Sequence, residues 1–187
     1  MVQAIRRVTA ARGARPTPHV PRPASPVAAR APEEHRVVAT ALDRGVQDIQ
    51  KTDPGYDPTR FAGYTGMMYR DVQRAWTVGD VASLRDRFTA ELYGVLHARC
   101  ERLRMAGRSN HLEQIEILGE ITEAWQEHGR DYATAYIAGS MIDYTVDDAN
   151  DGVVEGSRTI PRRVEEFWTF TRAAGLNFWM LSAIQTA

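Results

Sequence analysis

The chain has 187 residues with 23 basic and 24 acidic side chains, and its formal net charge of −1 gives no signal of nucleic-acid binding. One cysteine excludes an internal disulfide, and no apolar run is long enough for a transmembrane helix. All sixteen aromatic residues lie between Tyr56 and Trp179, whereas six of the nine prolines precede residue 33. The composition therefore predicts one globular domain that follows a proline-rich segment.

Residues 1–32 are predicted to form an extended or disordered arm, because a segment of this composition buries too little apolar surface to offset its chain entropy. Three roles fit it: a solvated tail, an arm that binds a partner protein or anionic lipid headgroups, and an organelle-targeting peptide. The segment contains no acidic residue and six arginines, Arg6, Arg7, Arg12, Arg15, Arg22 and Arg30.

Residues 33–52 are predicted to form an amphipathic helix and a linker. Val38, Leu42, Val46 and Ile49 recur at helical spacing, and the opposite side carries charges of both signs. A mixed-sign polar side favours docking on the domain or on a partner over lying on a membrane surface. Gly45 is expected to weaken this helix slightly.

The domain of residues 53–187 is predicted to begin with three helices that start at recognisable caps. Asp57 caps the first, with Pro58 at the first helical position. Asp80 caps a short second helix, and Thr89 opens the third. Cys100 lies on the apolar stripe of the third helix, which predicts a core residue and not a nucleophile.

The periodicity then changes from helical to alternating, which predicts four strands at residues 115–125, 132–146, 164–172 and 178–185. The alternation of the third strand places Val164, Glu166, Trp168, Phe170 and Arg172 on one of its faces. Gly119 indicates a bend or bulge in the first strand, and residues 147–158 are expected to form a polar loop. The last strand is apolar on both faces, which is typical of a central strand. The predicted fold is α+β: three helices packed on a strongly curved, cone-like four-stranded antiparallel sheet, preceded by the arm and the amphipathic helix.

The sequence shows no metal, cofactor or nucleophile signature. In the acidic loop of residues 147–152, Ala149 stands at the third calcium-ligand position, and Arg158 stands where a bidentate glutamate is required. The five histidines lack zinc-ligand spacing, and no glycine-rich phosphate loop or nucleophile elbow occurs. We therefore expect no metal, no cofactor and no catalytic residue.

Two acidic residues in apolar strands, Asp143 and Glu166, are candidates for a catalytic base, with Tyr136 and Tyr144 as proton donors. The simpler interpretation places both acids on the solvent face of their strands. Large apolar side chains are expected mainly in the core, where a subset can line an apolar ligand cavity. The cavity candidates are Tyr64, Met68, Trp76, Phe88, Tyr136, Trp168, Phe170 and Trp179.

Five segments, at residues 53–61, 73–85, 88–93, 165–172 and 178–185, resemble the domain shared with subunit 44 of the mitochondrial inner-membrane import translocase. The resemblance covers residues 53–186 and implies the cone-like fold of nuclear-transport-factor-like proteins. It also implies a non-enzymatic binding or scaffold module, an accessory subunit of a membrane-associated complex in protein translocation or lipid-binding transport. The implied partners are other protein subunits and anionic lipid. The implied location is peripheral, on a bacterial inner membrane or the matrix side of the mitochondrial one.

The alternative from a different class is a small cone-fold enzyme, an isomerase or hydrolase acting on an apolar substrate with a carboxylate base. It requires that Asp143 or Glu166 points into a closed pocket. A third hypothesis is a carrier of a lipid or another apolar molecule.

Overall fold

The computed structural model describes residues 31–187, with side chains from Thr40 onward, so the six arginines of the predicted arm lie outside the described residues. The helices precede the strands, as predicted. They are α1 (Ala31–Gln50), α2 (Pro58–Thr77), a 3₁₀ helix (Val81–Arg87) and α3 (Ala90–Met105). The strands are β1 (Arg108–Glu127), β2 (Arg130–Asp147), β3 (Val153–Gly156), β4 (Arg162–Ala173) and β5 (Met180–Thr186).

The described strands form one antiparallel sheet in the order β1-β2-β4-β5, and β3 pairs with the part of β2 that extends beyond β4. The sheet has five strands, so the prediction of four was wrong. The missed strand, β3, lies within the segment predicted as a polar loop. Its four residues are all exposed, and a run this short shows no alternation that a sequence pattern could reveal.

The last strand, β5, lies at an edge of the sheet and not at its centre, which contradicts the prediction from its two apolar faces. Its outer edge is partly covered by the segment between the 3₁₀ helix and α3. The Thr89 N–H donates to the Leu181 carbonyl over 3.0 Å, and Phe88 forms a parallel bridge with Leu181. Apolar side chains therefore occur on an edge strand because a loop shields that edge.

The three predicted caps are confirmed. The Asp57 carboxylate accepts from the Arg60 N–H over 2.7 Å, with Pro58 at the start of α2. Asp80 caps the 3₁₀ helix, and the Thr89 hydroxyl oxygen accepts from the third N–H of α3. These local interactions satisfy donors that no helix can pair internally at its N-terminus.

All four helical elements contribute to the core beneath the sheet. The alternation of β4 places Val164, Glu166, Trp168, Phe170 and Arg172 on the helix-covered face, and all five side chains are buried. The predicted phase of this strand is therefore confirmed. The same face of β2 presents alanines, an isoleucine and a methionine.

The amphipathic helix α1 packs on β1, so the helical cover has four elements and not the three that were predicted. Ile49 is fully buried in the core, and Leu42 and Val46 pack against it. Gly45 brings the helix backbone onto the strand, because a Cβ at this position would lie 1.7 Å from the Ala124 carbonyl oxygen. The glycine is therefore a requirement of close packing as well as a weak helix former.

Strand β1 is irregular at two places, between Glu113 and Glu116 and between Ile121 and Glu123. Of the bend or bulge predicted at Gly119, the bulge is wrong, since this residue pairs regularly with Ile137. Its missing side chain instead leaves room for α2, whose Thr65 hydroxyl would lie 3.3 Å from a Cβ there. The two irregularities lie on either side of the contact with α2, and bulges of this kind increase the local twist of a strand.

We predict that Gly45→Ala lowers the free energy of unfolding by about 2 kcal/mol or more, because α1 must move off β1 to make room for the methyl group. Urea-induced unfolding of the full chain measures this change. The matched control is Gly63→Ala in α2, where a Cβ meets nothing within 4 Å. This variant should be stabilised by ~0.5–1 kcal/mol through helix propensity. Equal effects of the two variants would contradict the close contact.

Candidate functional site

The first of two buried polar clusters on the helix-covered face, the ion-pair cluster, consists of Asp53, Asp131 and Arg172. The Arg172 Nη2 atom lies 2.8 Å from the Asp53 carboxylate, and Nε lies 2.9 Å from that of Asp131. All three residues are buried. The cluster ties the linker before α2 to the start of β2 and the end of β4.

The remaining hydrogen-bonding positions of this cluster are largely occupied. Gln126 donates from Nε2 to the Asp131 Oδ1 atom over 2.8 Å, and Arg172 donates from Nη1 to the Asn177 carbonyl over 3.3 Å. The Arg172 guanidinium also stacks over the Trp179 ring, 4.4 Å from its centroid. Because the polar atoms of this cluster have partners, the cost of removing its charges from water is compensated. We therefore interpret the cluster as structural.

The second cluster, the polar core cluster, is centred on Tyr69, Gln73, Glu166 and Trp168. The Trp168 indole N–H donates to Glu166 Oε2 over 2.8 Å, whereas Glu166 Oε1 has no hydrogen-bond partner among the described residues. Gln73 is fully buried and its amide acts on the Tyr69 phenol, where it opposes the rise in the pKa of that phenol, although within residues 31–187 neither amide atom makes a hydrogen bond of ordinary geometry. Buried polar groups without partners are uncommon in folded proteins.

The neighbouring aromatic rings complete the polar core cluster. The Tyr69 and Trp168 rings lie 5.0 Å apart at an angle of 39°. The Tyr69 hydroxyl donates to the Met141 sulfur over 3.7 Å. Because Gln73 follows Tyr69 by one helical turn of α2, both side chains face the sheet.

At its outer end, the polar core cluster adjoins a second acid, Asp143. One Asp143 oxygen lies 3.2 Å from Arg162 Nε, and the other accepts from the Asn110 amide over 3.0 Å. Arg162 is half-buried, and Asp143 is the more enclosed partner. The outer acid is therefore balanced by a cation, and this end of the cluster lies nearest to solvent.

Burial sets the electrostatics of the polar core cluster. Desolvation raises the pKa of Glu166, while the Trp168 hydrogen bond and the charge of Arg162 oppose that rise. Desolvation also raises the pKa of the Tyr69 phenol, and the charge of Glu166 adds to this effect. The phenol is thus neutral at physiological pH, and the carboxyl group holds its proton more tightly than an exposed glutamate does.

The predicted catalytic acids are buried, so their placement on the solvent face was wrong. Asp143 is 6% exposed and Glu166 is 1% exposed, and both lie on the helix-covered face. The predicted proton donors face away from them: the Tyr136 hydroxyl donates to Glu165 over 3.1 Å, and the Tyr144 hydroxyl donates to a surface glutamate. Neither tyrosine can serve as the donor beside these acids.

The structure brings seven of the eight cavity candidates to one side of the sheet and leaves Tyr136 on the other, where its ring packs on Phe167. Tyr64 and Trp179 are half-buried and joined by a hydrogen bond of 3.4 Å from hydroxyl to carbonyl. The buried candidates belong to the main core; they are Met68, Trp76, Phe88, Trp168 and Phe170. An apolar ligand cavity formed by these residues stays a prediction.

A cavity of about 170 Å³ lies where the ends of α2 and α3 meet the start of β1, and Trp76 is the cavity candidate that lines it. Cys100 also borders this cavity, and its burial raises the thiol pKa to about 11. The prediction of a buried cysteine is confirmed. A thiol with this pKa is a poor nucleophile at neutral pH.

The part of the chain that the structure describes contains no group of three histidine, cysteine or acidic side chains arranged to hold a metal ion. Among its helices, none combines the length and the apolar character needed to cross a membrane.

Several residues of the two clusters were not singled out by sequence reasoning, namely Asp53, Gln73, Asn110, Asp131 and Arg162. A usable signal existed for Arg172, because it shares the alternation phase of Trp168 and Phe170 and was placed on their face. A cation in phase with core aromatics indicates a buried ion pair. For Gln73 the apolar stripe of α2 gave a comparable but weaker signal.

Comparison with known proteins identifies the domain. The family model of the Tim44-like domain matches residues 42–186, which confirms the resemblance and extends it into α1. No curated protein matches the chain. A similar solved structure is the crystal structure of the intermembrane space region of the chloroplast protein ARC6, at 8% sequence identity and a TM-score of 0.49. The similarity covers 71% of this chain and 98% of that one.

We predict that Arg172→Met lowers the free energy of unfolding by about 3–5 kcal/mol, because it leaves two buried carboxylates without their cation. Chemical denaturation measures the loss. The matched control is Arg163→Met on the same strand, whose exposed side chain pairs with Glu165. Its cost should be ~0.5 kcal/mol or less. Similar losses of unfolding free energy in both variants would contradict the role of Arg172 in joining the linker to β2 and β4.

We predict that Glu166→Gln gains stability relative to the wild type as pH rises. Because the pKa of Glu166 is raised above the ordinary value of 4.5, its favourable contribution is complete below about that pH and disappears as pH rises through the folded-state pKa. The neutral glutamine is free of this penalty. Urea unfolding of both proteins at pH 4.5 and pH 8 measures the difference, and Glu165→Gln controls for the loss of one charge on β4. A difference that shrinks toward pH 8 would contradict the burial of Glu166.

Proposed function

This chain belongs to the Tim44-like domain family, and from that membership we propose that it is a non-catalytic binding module, an accessory subunit of a membrane-associated protein complex. In the finer form of the proposal, the complex serves protein translocation or lipid-binding transport. The chain then lies at the periphery of an inner membrane. The observation that carries the proposal is the family match over residues 42–186, which includes every strand of the sheet.

The charge distribution supports attachment through the N-terminal arm. Six of the 23 basic residues and none of the 24 acids lie in residues 1–30, so residues 31–187 carry 17 basic residues against 24 acids and a formal net charge of −7. A cationic segment beside an acidic domain is suited to binding acidic protein surfaces or anionic lipid headgroups. The acidic domain itself is repelled by anionic lipid, which assigns membrane attraction to the arm.

The packing of α1 on the domain supports a fixed position for the point at which the arm joins the domain. The helix begins at Ala31, immediately after the basic segment, and Gly45 seats its backbone against β1. Ile49 buries its side chain in the core, and the ion-pair cluster fixes the linker that follows. The domain therefore holds the attachment point of the arm at one place on its surface.

Exposed apolar residues supply a further contact surface. In the loop between β4 and β5, Leu176 is 85% exposed and Phe178 is 95% exposed. Two large apolar side chains two residues apart on one loop suit a contact with another protein or with lipid.

The proposal predicts that the full chain sediments with membranes of its native host and migrates there in a complex larger than its own 21.0 kDa. Replacing the six arginines of residues 1–30 by glutamine should move most of the protein to the soluble fraction, because the cationic segment is lost. Membrane fractionation followed by native electrophoresis measures both properties.

The matched control removes the same charge from the domain, by exchanging six exposed arginines for glutamine: Arg44, Arg60, Arg70, Arg74, Arg102 and Arg104. This variant should stay with the membrane complex. A wild-type chain that is monomeric and soluble in its host would overturn the proposal. Equal release of both variants would exclude the arm as the point of attachment.

A further inference from the structure

The side of the sheet opposite the helix-covered face, which we call the outer face, has no helix of the described residues packed on it. Tyr136 of β2 lies on this face, and the strand pairing places Glu120 of β1 and Phe167 of β4 directly beside it. Leu118 on the same face is 84% exposed. A sheet face that presents large apolar side chains to solvent is a candidate contact surface.

Aromatic rings lie on the outer face in two pairs. Trp125 of β1 stacks on Tyr132 of β2, with ring centroids 4.8 Å apart and an angle of 5° between the planes. Tyr136 packs on Phe167 at 5.2 Å. All four side chains are half-buried, so both pairs keep ring surface accessible to a partner. Accessible aromatic rings bind arginine side chains and the rings of extended proline-rich segments.

The outer face is also acidic. Glu116, Glu120 and Glu123 of β1 are exposed, and among the described side chains none of the three has an ion-pair partner, whereas Glu165 of β4 is paired with Arg163 over 2.8 Å. Unpaired carboxylates in a row along one strand favour a cationic occupant.

The charge balance of this face can be counted from the strand pairing. Residues 116–127 of β1 that lie on the outer face, together with the residues directly opposite them in β2 and β4, carry five carboxylates and two guanidiniums, a formal charge of −3. The charged residues are Glu116, Glu120, Glu123, Glu127, Glu165, Arg130 and Arg163.

The chemistry of residues 1–30 complements this face. The segment has six arginines and no acid, and residues 15–23 contain four prolines between Arg15 and Pro23. Such a sequence favours the polyproline II conformation, which loses little entropy on binding and is recognised by aromatic side chains. Guanidinium groups form paired hydrogen bonds with carboxylates and stack on aromatic rings.

The arm is attached beside the strand that carries these acids. It joins α1 at Ala31, and α1 packs on β1. Thirty residues in the polyproline II conformation span about 93 Å, and a strand of 20 residues such as β1 spans about 66 Å. The arm is therefore long enough to follow the whole outer face. Covalent attachment also gives it an effective concentration on the order of millimolar.

We propose that residues 1–30 of this chain dock on the outer face of the sheet. The arginines bind the carboxylates of Glu116, Glu120 and Glu123, and the prolines pack on the two aromatic pairs. This docking goes beyond the proposed function and does not depend on it. Where the arm also attaches the chain to a partner or to lipid, the outer face competes with that attachment.

The test uses the full chain with its six arm arginines changed to glutamine, so that its own arm competes weakly. The ligand is a fluorescein-labelled peptide with the sequence of residues 1–30, and its binding is followed by fluorescence anisotropy in about 150 mM salt. The same peptide with citrulline in place of arginine should bind at least tenfold more weakly. Equal binding of the two peptides would overturn the proposal.

Removal of the acids tests the place of binding. The triple change Glu116→Gln, Glu120→Gln and Glu123→Gln should weaken binding of the arginine peptide at least tenfold. The matched control removes three exposed acids from the helices, by Asp43→Asn, Asp86→Asn and Glu91→Gln, and should weaken binding less than twofold. Equal weakening by the two triple variants would reduce the interaction to long-range charge and overturn the proposal.

Replacement of one ring tests the aromatic contact. Trp125→Thr removes the stack on Tyr132 and should weaken binding at least threefold, whereas Trp125→Phe keeps a ring and should stay within twofold of the unchanged face. Urea unfolding verifies that both variants are folded. Unchanged affinity of the Trp125→Thr variant would overturn the proposal.

The wild-type chain identifies the occupant of the face. Because its own arm is docked, it should bind the labelled peptide at least fivefold more weakly than the chain with the glutamine arm. Equal binding would overturn docking within the chain, and so would a wild-type dimer that dissociates on Trp125→Thr, since a second copy would then cover the face. Failure here is separable from failure of the proposed function, because the wild-type chain can migrate in a membrane complex whether or not its arm binds the sheet.

Discussion

The position of the helices on the sheet depends on one buried cation, Arg172. Its two carboxylate partners, Asp53 and Asp131, lie 119 and 41 residues away in the chain, so a single side chain joins the linker to the ends of two neighbouring strands. Because the linker is held there, α2 starts at a fixed point and crosses the sheet in one register. From that start, Tyr69 and Gln73 of α2 face the sheet, and the Tyr69 ring packs on Trp168.

The two polar clusters differ in what the fold supplies to them. The charges of the ion-pair cluster meet opposite charges, an amide and an aromatic ring, which compensates for their desolvation. In the polar core cluster, the fold buries Glu166 and Gln73 and leaves atoms of both without partners among residues 31–187. The desolvation of the first cluster is therefore compensated within the fold, whereas the burial of Glu166 and Gln73 in the second is an unfavourable contribution that the surrounding apolar packing must offset.

Local chemistry predicted the features that depend on neighbours in sequence, and distant contacts decided the rest. The caps at Asp57 and Thr89 and the alternation of β4 follow from adjacent residues. Strand β3 exists because β2 extends beyond β4 and offers a free edge, a fact that four exposed residues cannot encode alone. Gly45 was interpreted through helix propensity, although its role is set by the Ala124 carbonyl 79 positions later in the numbering.

The burial of the acids shows which of two sequence rules is the stronger. The charge of Glu166 favoured the solvent face of an alternating strand, whereas its phase matched Val164 and Trp168 and therefore pointed to the core. Phase prevailed because the pleat fixes side-chain direction for a whole strand, while hydrogen bonds can compensate the polarity of one residue. A polar residue in phase with core residues is thus a candidate for a special role. Arg172 and Glu166 both satisfy this criterion, and the supply of partners separates them: Arg172 is paired with two carboxylates and joins the linker to two strands, whereas Glu166 keeps one oxygen without a hydrogen bond among the described residues and therefore has a raised pKa.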